Sequence, residues 1–458
     1  MNGGIVPWLG ASLVAVVLGA AIAFGSSWGA FAMIALVTTT LFAAVASKMR
    51  TAVDSVWLVN WVMLGFLAKI VGTLARYYMV AVLYGGGDSY RYYRVGTELA
   101  TQFRTGFIPE FAERSQGGFG TQVTEYITGG LFTIFTPDMV GGFLIFSAFA
   151  FGGQLLLYAA FRRWAGPGQL RPYAFLVLFL PTYFFWPSSI GKDALVLFAI
   201  GGAAYFISRT LASFEVRWLV GLAVFLGILG LIRIHIAGLI VAGLIGAGVV
   251  AKTPKDTGAA VGLRRLVVVG GFVAAGGLVL TLFPNMFGVD LTGTDSLDSF
   301  TSDVVRRTSE SGTVADGGAV AGPADIPEAV ALVLFRPFAF EATEMQHYFA
   351  AAETTLLLGL TVWKLPAILR NWRAWRANGY VVFSSFYVLG FAIAFSVVRN
   401  LGIIARQRGQ VLAFFLCVLV ALGWERGDEE ISTDEFKAGR PSSTPRPAPP
   451  DRHPSQVR

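Results

Sequence analysis

Charge is the scarcest property of this sequence. Asp, Glu, Lys and Arg make up 14% of its 458 residues, against 55% hydrophobic residues and a mean hydropathy of +0.63. Soluble domains carry about a quarter charged residues, so a chain of this length lacks the polar surface to stay in water. Lipid has to be the solvent for most of it. Cysteine is nearly absent as well: Cys417 stands alone, which excludes an intrachain disulfide framework and a cysteine-based metal site. With only three histidines, His235, His347 and His453, no metal is expected. The positive excess, formally +7, collects beside the ends of apolar runs. There it is a topology signal, not a nucleic-acid footprint. The first apolar run has no basic segment ahead of it and reads as an anchor, not a cleaved signal.

Glycine is what the chain has in excess, 54 in all, many inside apolar runs such as GGFVAAGG and VAGLIGAGVV. Small residues let spanning helices approach closely, so this predicts an all-α polytopic transmembrane bundle. The ~20-residue criterion for a crossing gives about twelve spans, at 5–24, 29–47, 53–74, 139–161, 172–187, 193–208, 218–232, 234–250, 266–283, 348–369, 380–397 and 411–423. The pair around Arg233 reads as one long helix or two short ones. With the N-terminus inside, the basic stretches SKMR, FRRW, SRTLASFEVRW, AKTPKDTGAAVGLRR and LRNWRAWRAN all fall on the cytoplasmic side, as the positive-inside rule asks. The C-terminus is then cytoplasmic too.

Residues 1–423 form the bundle on this reading, and 424–458, rich in Pro, Ser and charge, a disordered tail. Two long loops, 84–138 and 284–344, fall outside. Connectors of that length carry function or are unstructured. The first bears amphipathic stretches at 90–103 and 121–135, suited to interfacial or re-entrant helices. The second is rich in Ser, Thr, Asp and Gly and reads as flexible, a mobile lid.

Charges held at membrane depth are costly and mark functional sites by default. In YGGGDSYRYYRVG, Asp88 precedes Tyr90, Arg91 and Arg94; a carboxylate beside arginines and stacking aromatics suits a sugar or a phosphate-bearing ligand. The bland alternative is an interfacial aromatic belt with snorkelling arginines. In FFWPSSIGKDALVLF, Lys192 and Asp193 open a helix, a natural anion site, unless Asp193 merely complements the helix dipole. Arg233 and His235 sit between two apolar runs and read as a site or a solvated turn. In FRPFAFEATEMQHYF, Arg336 precedes proline and is held extended. Glu341, Glu344 and His347 recur every third residue, which puts them on one helical face as a candidate base with a histidine nearby. In VVRNLGIIARQRGQ, Arg399, Arg406 and Arg408 lie outside against the positive-inside bias, and phosphate binding by guanidinium is a reason for that. Lys69, within the third span, either snorkels or pairs with a carboxylate.

The strings FFWPSSIGKDAL, FRPFAFEA and NLGIIARQRGQ resemble motifs of bacterial multi-spanning polysaccharide (O-antigen or exopolysaccharide) polymerases, related in style to C-type glycosyltransferases. That resemblance implies a polyprenyl-linked saccharide donor used at the periplasmic or extracellular face of the bacterial plasma membrane, with a glycan acceptor. Arginines hold the lipid phosphates, and an acidic side chain in the first large outer loop activates the acceptor. Asp88 occupies that kind of position, although it follows the third span and not the first.

The reading is a membrane glycosyltransferase or polymerase. Asp88 or Glu341 is the base, Lys192, Arg336, Arg406 and Arg408 bind phosphate, and Tyr90 and Arg91 hold sugar. No cofactor is required, since the donor carries its own leaving group. The rivals are a transporter or flippase of lipid-linked glycans, which would place its coupling charges near the midplane, and a non-catalytic scaffold of an envelope complex.

Overall fold

The computed structural model describes residues 26–51, 53–54, 57–109, 118–134, 138–213, 215–251, 270, 323–343, 345–398 and 400–427. The architecture among them is helical: α1 (Ser26–Met49), α2 (Leu58–Tyr77, continued by a π-helical turn Tyr78–Tyr84), α3 (Asp88–Arg104), α4 (Phe119–Ile134), α5 (Met139–Arg162), α6 (Pro167–Phe179), α7 (Lys192–Ala212), α8 (Val216–Val250), α9 (Ile326–Phe335), α10 (Met345–Asn371), α11 (Gly379–Phe395), α12 (Leu401–Gln407) and α13 (Leu412–Gly423). Six helices among the described residues are long and apolar enough to cross a membrane, or seven if Leu401–Gln410 and Leu412–Gly423, bent by 60°, make one span. The chain is a multi-pass membrane protein.

That is fewer than about twelve spans counted by the ~20-residue criterion, for identifiable reasons. The expected span at 5–24, and all of that at 266–283 except residue 270, lie outside the described residues. The span expected at 172–187 is broken. Proline disfavours the helical conformation in the residue before it, and Leu180, before Pro181, is extended at φ −66°, ψ 136°. A single turn, Pro181–Phe184, follows. Freed backbone groups at such a break need partners inside the bundle. Lys69 Nζ donates to the Tyr183 carbonyl at 2.6 Å, and the Thr182 N–H donates to Glu353 Oε2 at 2.8 Å. Lys69 therefore neither snorkels nor pairs with a carboxylate; it is fully buried on a carbonyl.

The ambiguity at Arg233 resolves as a reversal. A straight helix of 35 residues would run about 52 Å, yet both ends of α8 lie at the same end of α7. Trp218 stacks under Arg209 at 5.2 Å, while Leu211 and Ala251 both approach the position a Cβ on Gly379 would take, at 4.0 and 3.9 Å. Arg233, at the turn with φ −148°, ψ 80°, meets Asp193 at the opposite end of α7. So α8 is two antiparallel arms, 216–232 and 234–250, each about 25 Å long.

Tight helix pairing follows from the glycines. Added Cβ atoms on Gly153 and Gly201 would meet the Leu197 and Gly153 carbonyls, so α5 and α7 touch backbone to backbone. One end of the bundle gathers basic residues. Arg162 binds Asp54 at 2.9 Å, Arg376 Nε donates to the Val250 carbonyl at 3.2 Å, and Arg426 Nη2 to the Trp164 carbonyl at 3.2 Å. The tail's first residues are thus docked: the Gly168 N–H donates to the Arg426 carbonyl at 2.8 Å. Residues 428–458 lie outside the described residues. The expected loop at 84–138 holds α3 and α4, packed on each other through Gly96 and Gly129. Within the loop expected at 284–344, α9 is an apolar helix packed on α10 and α11, with Phe335 5.8 Å from Phe415 of α13, and not part of a lid. Its sequence IPEAVALVLF is apolar enough to demand this burial.

Candidate functional site

At the end opposite the basic cluster, several segments converge. Gly85 and Gly87, at φ 60° and 99°, adopt left-handed conformations and turn the chain out of α2. That places Asp88 in the first turn of α3. The broken segment after α6 delivers Lys192 and Asp193 to the first turn of α7. The reversal in α8 presents Arg233. Asn400 caps α12 by accepting from the Ile403 N–H at 3.0 Å, and Arg406 lies in the last turn of that helix.

Asp193 ties these segments together. It binds Arg233 at 2.8 Å through one oxygen and Arg406 Nε through the other. Arg406 Nη1 also reaches Asp88 at 3.4 Å, and Arg233 donates to Gln407. Lys192 Nζ donates to Thr121 Oγ1 at 2.7 Å, and Arg91 pairs with the buried Glu125 at 2.9 Å. The result is a cavity of about 270 Å³ lined by Asp88, Arg91, Tyr92, Thr121, Lys192, Arg233, Ile403, Arg406 and Gln407. Its wall carries four cationic side chains and one carboxylate. Burial, and then the charge of Asp88, push the Tyr92 phenol up to about 12, so it is a neutral donor. A second cavity of about 450 Å³ shares Lys192, Arg233, Ile403 and Gln407 with the first and continues as an apolar trough past Ile232, His235 and Phe395. Cationic pocket and apolar trough together suit an anion attached to a hydrocarbon chain.

Of the residues singled out from the sequence, Asp88, Arg91, Lys192, Arg233 and Arg406 line the polar cavity. Asp193 braces it, and His235 lines the trough. Tyr90 and Arg94 are exposed and line neither. Glu341 and Arg336 pair with each other at 2.8 Å outside the cavity. Glu341 sits in a 3-10 turn before α10, so it shares no helical face with His347, which is buried beside Gly402. Arg408 is a structural cation: it donates to the Arg336 carbonyl at 2.8 Å and faces Glu353 at 3.9 Å, fully buried. Residues two apart on a helix point to different sides, which is why Arg406 and Arg408 part company. Glu344 and Arg399 lie outside the described residues. No group of three potential metal ligands occurs among the described residues.

Thr121, Tyr92 and Gln407 were legible only as neighbours of charged residues. Arg76, buried at the end of α2 with its guanidinium 5.3 Å from the rings of both Phe185 and Trp186, gave no signal beyond being a charge in an apolar run.

No family profile and no curated protein matches the chain. Among solved structures, the crystal structure of ArnT from Cupriavidus metallidurans in the apo state is similar with a TM-score of 0.36 and 14% sequence identity, over 80% of this chain and 77% of that one.

Proposed function

We propose that this chain is a membrane glycosyltransferase, of the polymerase kind, acting on a polyprenyl-phosphate-linked sugar at the outer face of a bacterial plasma membrane. The observation that carries the reading is the pairing of a cationic pocket with an apolar trough through shared residues. Two of the three strings that resemble the polymerase motifs supply its wall, one through Lys192 and one through Arg406.

In this mechanism the donor phosphate lies against Arg406 and Lys192 and its isoprenoid chain enters the trough. An acceptor hydroxyl gives its proton to Asp88 as the oxygen attacks the anomeric carbon. The bond from that carbon to the phosphate oxygen breaks, and the lipid phosphate leaves with the electron pair. Developing charge on the leaving oxygen is met by cations already in place, the usual source of electrostatic catalysis. Asp193 positions Arg233 and Arg406 and touches no reactant.

Purified protein in liposomes, given polyprenyl-phosphate-linked sugar and a glycan acceptor, is expected to extend the acceptor. Asp88→Asn is expected to lower kcat by at least ~10², the usual worth of a general base. Translocation of the lipid-linked sugar without product would overturn the reading in favour of a flippase. Full activity of Arg406→Ala would remove that residue from the mechanism.

A further inference from the structure

We propose that the Trp-Arg segment after α10 and the apolar cleft beside it form a binding site for an anionic phospholipid, at the end of the bundle away from the polar cavity. Residues Trp372–Ala377, WRAWRA, are a 3-10 helix. With three residues per turn, side chains three apart eclipse each other. Trp372 and Trp375 do so, stacked with centroids 5.0 Å apart and planes 6° from parallel. The same geometry sets Arg373 over Arg376, both exposed, with Arg370 one turn earlier.

Like charges one turn apart repel, and the segment itself carries no carboxylate to offset them. No Asp or Glu occurs between Glu353 and Glu425. Among the described residues, Arg370, Arg373 and Arg376 form no ion pair. An anion from outside the chain supplies what is missing.

The tail of that anion is set by the cleft. About 340 Å³ lies between α9, α11 and α13, walled by Val330, Trp372, Trp375, Phe386, Leu389 and Phe415. Its one hydroxyl is already used: Ser385 accepts from Trp375 Nε1 at 2.8 Å and donates to the Val381 carbonyl at 2.9 Å. The cleft therefore has room for hydrocarbon and no spare hydroxyl for a polar group. Stacked indoles at its mouth are the amphipathic rings that settle at headgroup depth. The neighbouring Arg162, Arg217 and Arg426 mark this as the basic end, which the positive-inside rule assigns to the leaflet rich in anionic lipid. Basic pockets between spanning helices on that side take phosphate headgroups. A free phosphate satisfies the arginines but leaves the cleft unfilled, so the two sources are separable.

The test is native mass spectrometry of the full chain in detergent, titrated with phosphatidylglycerol, phosphatidylcholine of the same acyl chains, or glycerol phosphate. Phosphatidylglycerol is expected to be retained roughly thirtyfold better than phosphatidylcholine, at about 1 kcal/mol for each of Arg373 and Arg376 near the headgroup. The double variant Arg373→Gln/Arg376→Gln is expected to lose that preference, and Arg373→Lys/Arg376→Lys to keep most of it. Val330→Trp, which fills the cleft, is expected to weaken both phospholipids. Equal retention of the two phospholipids would overturn the proposal. So would a preference untouched by the Gln pair, retention of both phospholipids untouched by Val330→Trp, or competition by glycerol phosphate as strong as by whole lipid.

Discussion

Asp193 holds two guanidinium groups with its two oxygens, and both guanidinium groups reach into the same cavity. Removing one partner of a buried ion pair leaves the others uncompensated, which costs about 3–5 kcal/mol. Asp193→Asn is therefore expected to lower the midpoint of thermal unfolding sharply, while Asp88→Asn, whose carboxylate is 63% exposed, is expected to leave it nearly unchanged. Scanning fluorimetry of the two variants checks this, and equal melting would deny Asp193 its bracing role. Asp54 makes a second prediction, at the basic end. Burial raises its carboxyl, but the Thr51 N–H, Arg162 and Tyr158 outweigh that and leave it below the ordinary carboxylate range. A lowered folded-state value stabilises the protein above the unfolded value and is lost as pH falls through the folded one. Melting temperature is thus expected to drop on acidification below about pH 4, and Asp54→Asn is expected to flatten that limb while lowering the neutral-pH plateau. At this scale the sequence revealed which residues carry charge but not where each side chain goes. Arg406 and Arg408 stand two apart in one motif, and only the turn of helix between them decides that one faces the cavity and the other Glu353.

Between Leu180 and Lys192 the chain abandons the helix inside the bundle, and three buried ionic side chains hold it. Lys69 takes the Tyr183 carbonyl, Glu353 takes the Thr182 N–H, and Arg408 donates to Thr182 Oγ1 at 3.2 Å. This segment leads into α7 and so sets where Lys192 and Asp193 stand. Glu353→Ala leaves Arg408 buried without a carboxylate and is expected to cost about 3–5 kcal/mol, read as loss of folded protein in detergent. A value below about 1 kcal/mol, the worth of an exposed pair, would mean that Arg408 finds water. A second element-scale prediction concerns α5 and α7. A side chain at Gly153 would strike the Leu197 carbonyl. Gly153→Val is expected to separate the helices at a cost of at least 1–3 kcal/mol, the usual range for overpacking, measured by the shift in denaturation midpoint. The positions of most helices were legible from apolar run length alone, as α5 and α7 illustrate. The break at Leu180 was not, although Pro181 announces it, because an apolar run continues across the proline. The burial of α9 was missed because a ten-residue apolar helix falls short of a span and was absorbed into a polar loop.

Across the whole molecule, the bundle has two chemically distinct ends. Arg162, Arg217, Arg376 and Arg426 mark one; Asp88, Lys192, Arg233 and Arg406 mark the other. Cys417 is the one cysteine and is buried, so a cysteine-free background needs a single substitution. In that background Arg217→Cys, at a side chain 67% exposed, and Asp88→Cys are expected to label from opposite sides of the membrane. An impermeant maleimide should reach Asp88→Cys in intact cells and Arg217→Cys only after permeabilisation; labelling from one side alone would refute the two-ended arrangement. The reversal in α8 has a consequence of another kind. Its two arms meet at one non-helical residue, with no loop to absorb a change in length. Each inserted residue would rotate the second arm by about 100°, carrying His235 away from the trough and Gly243 and Gly246 away from Tyr387 and Phe386 on α11. Length at this point is a discrete setting, and insertion scanning should find that this turn tolerates no added residue.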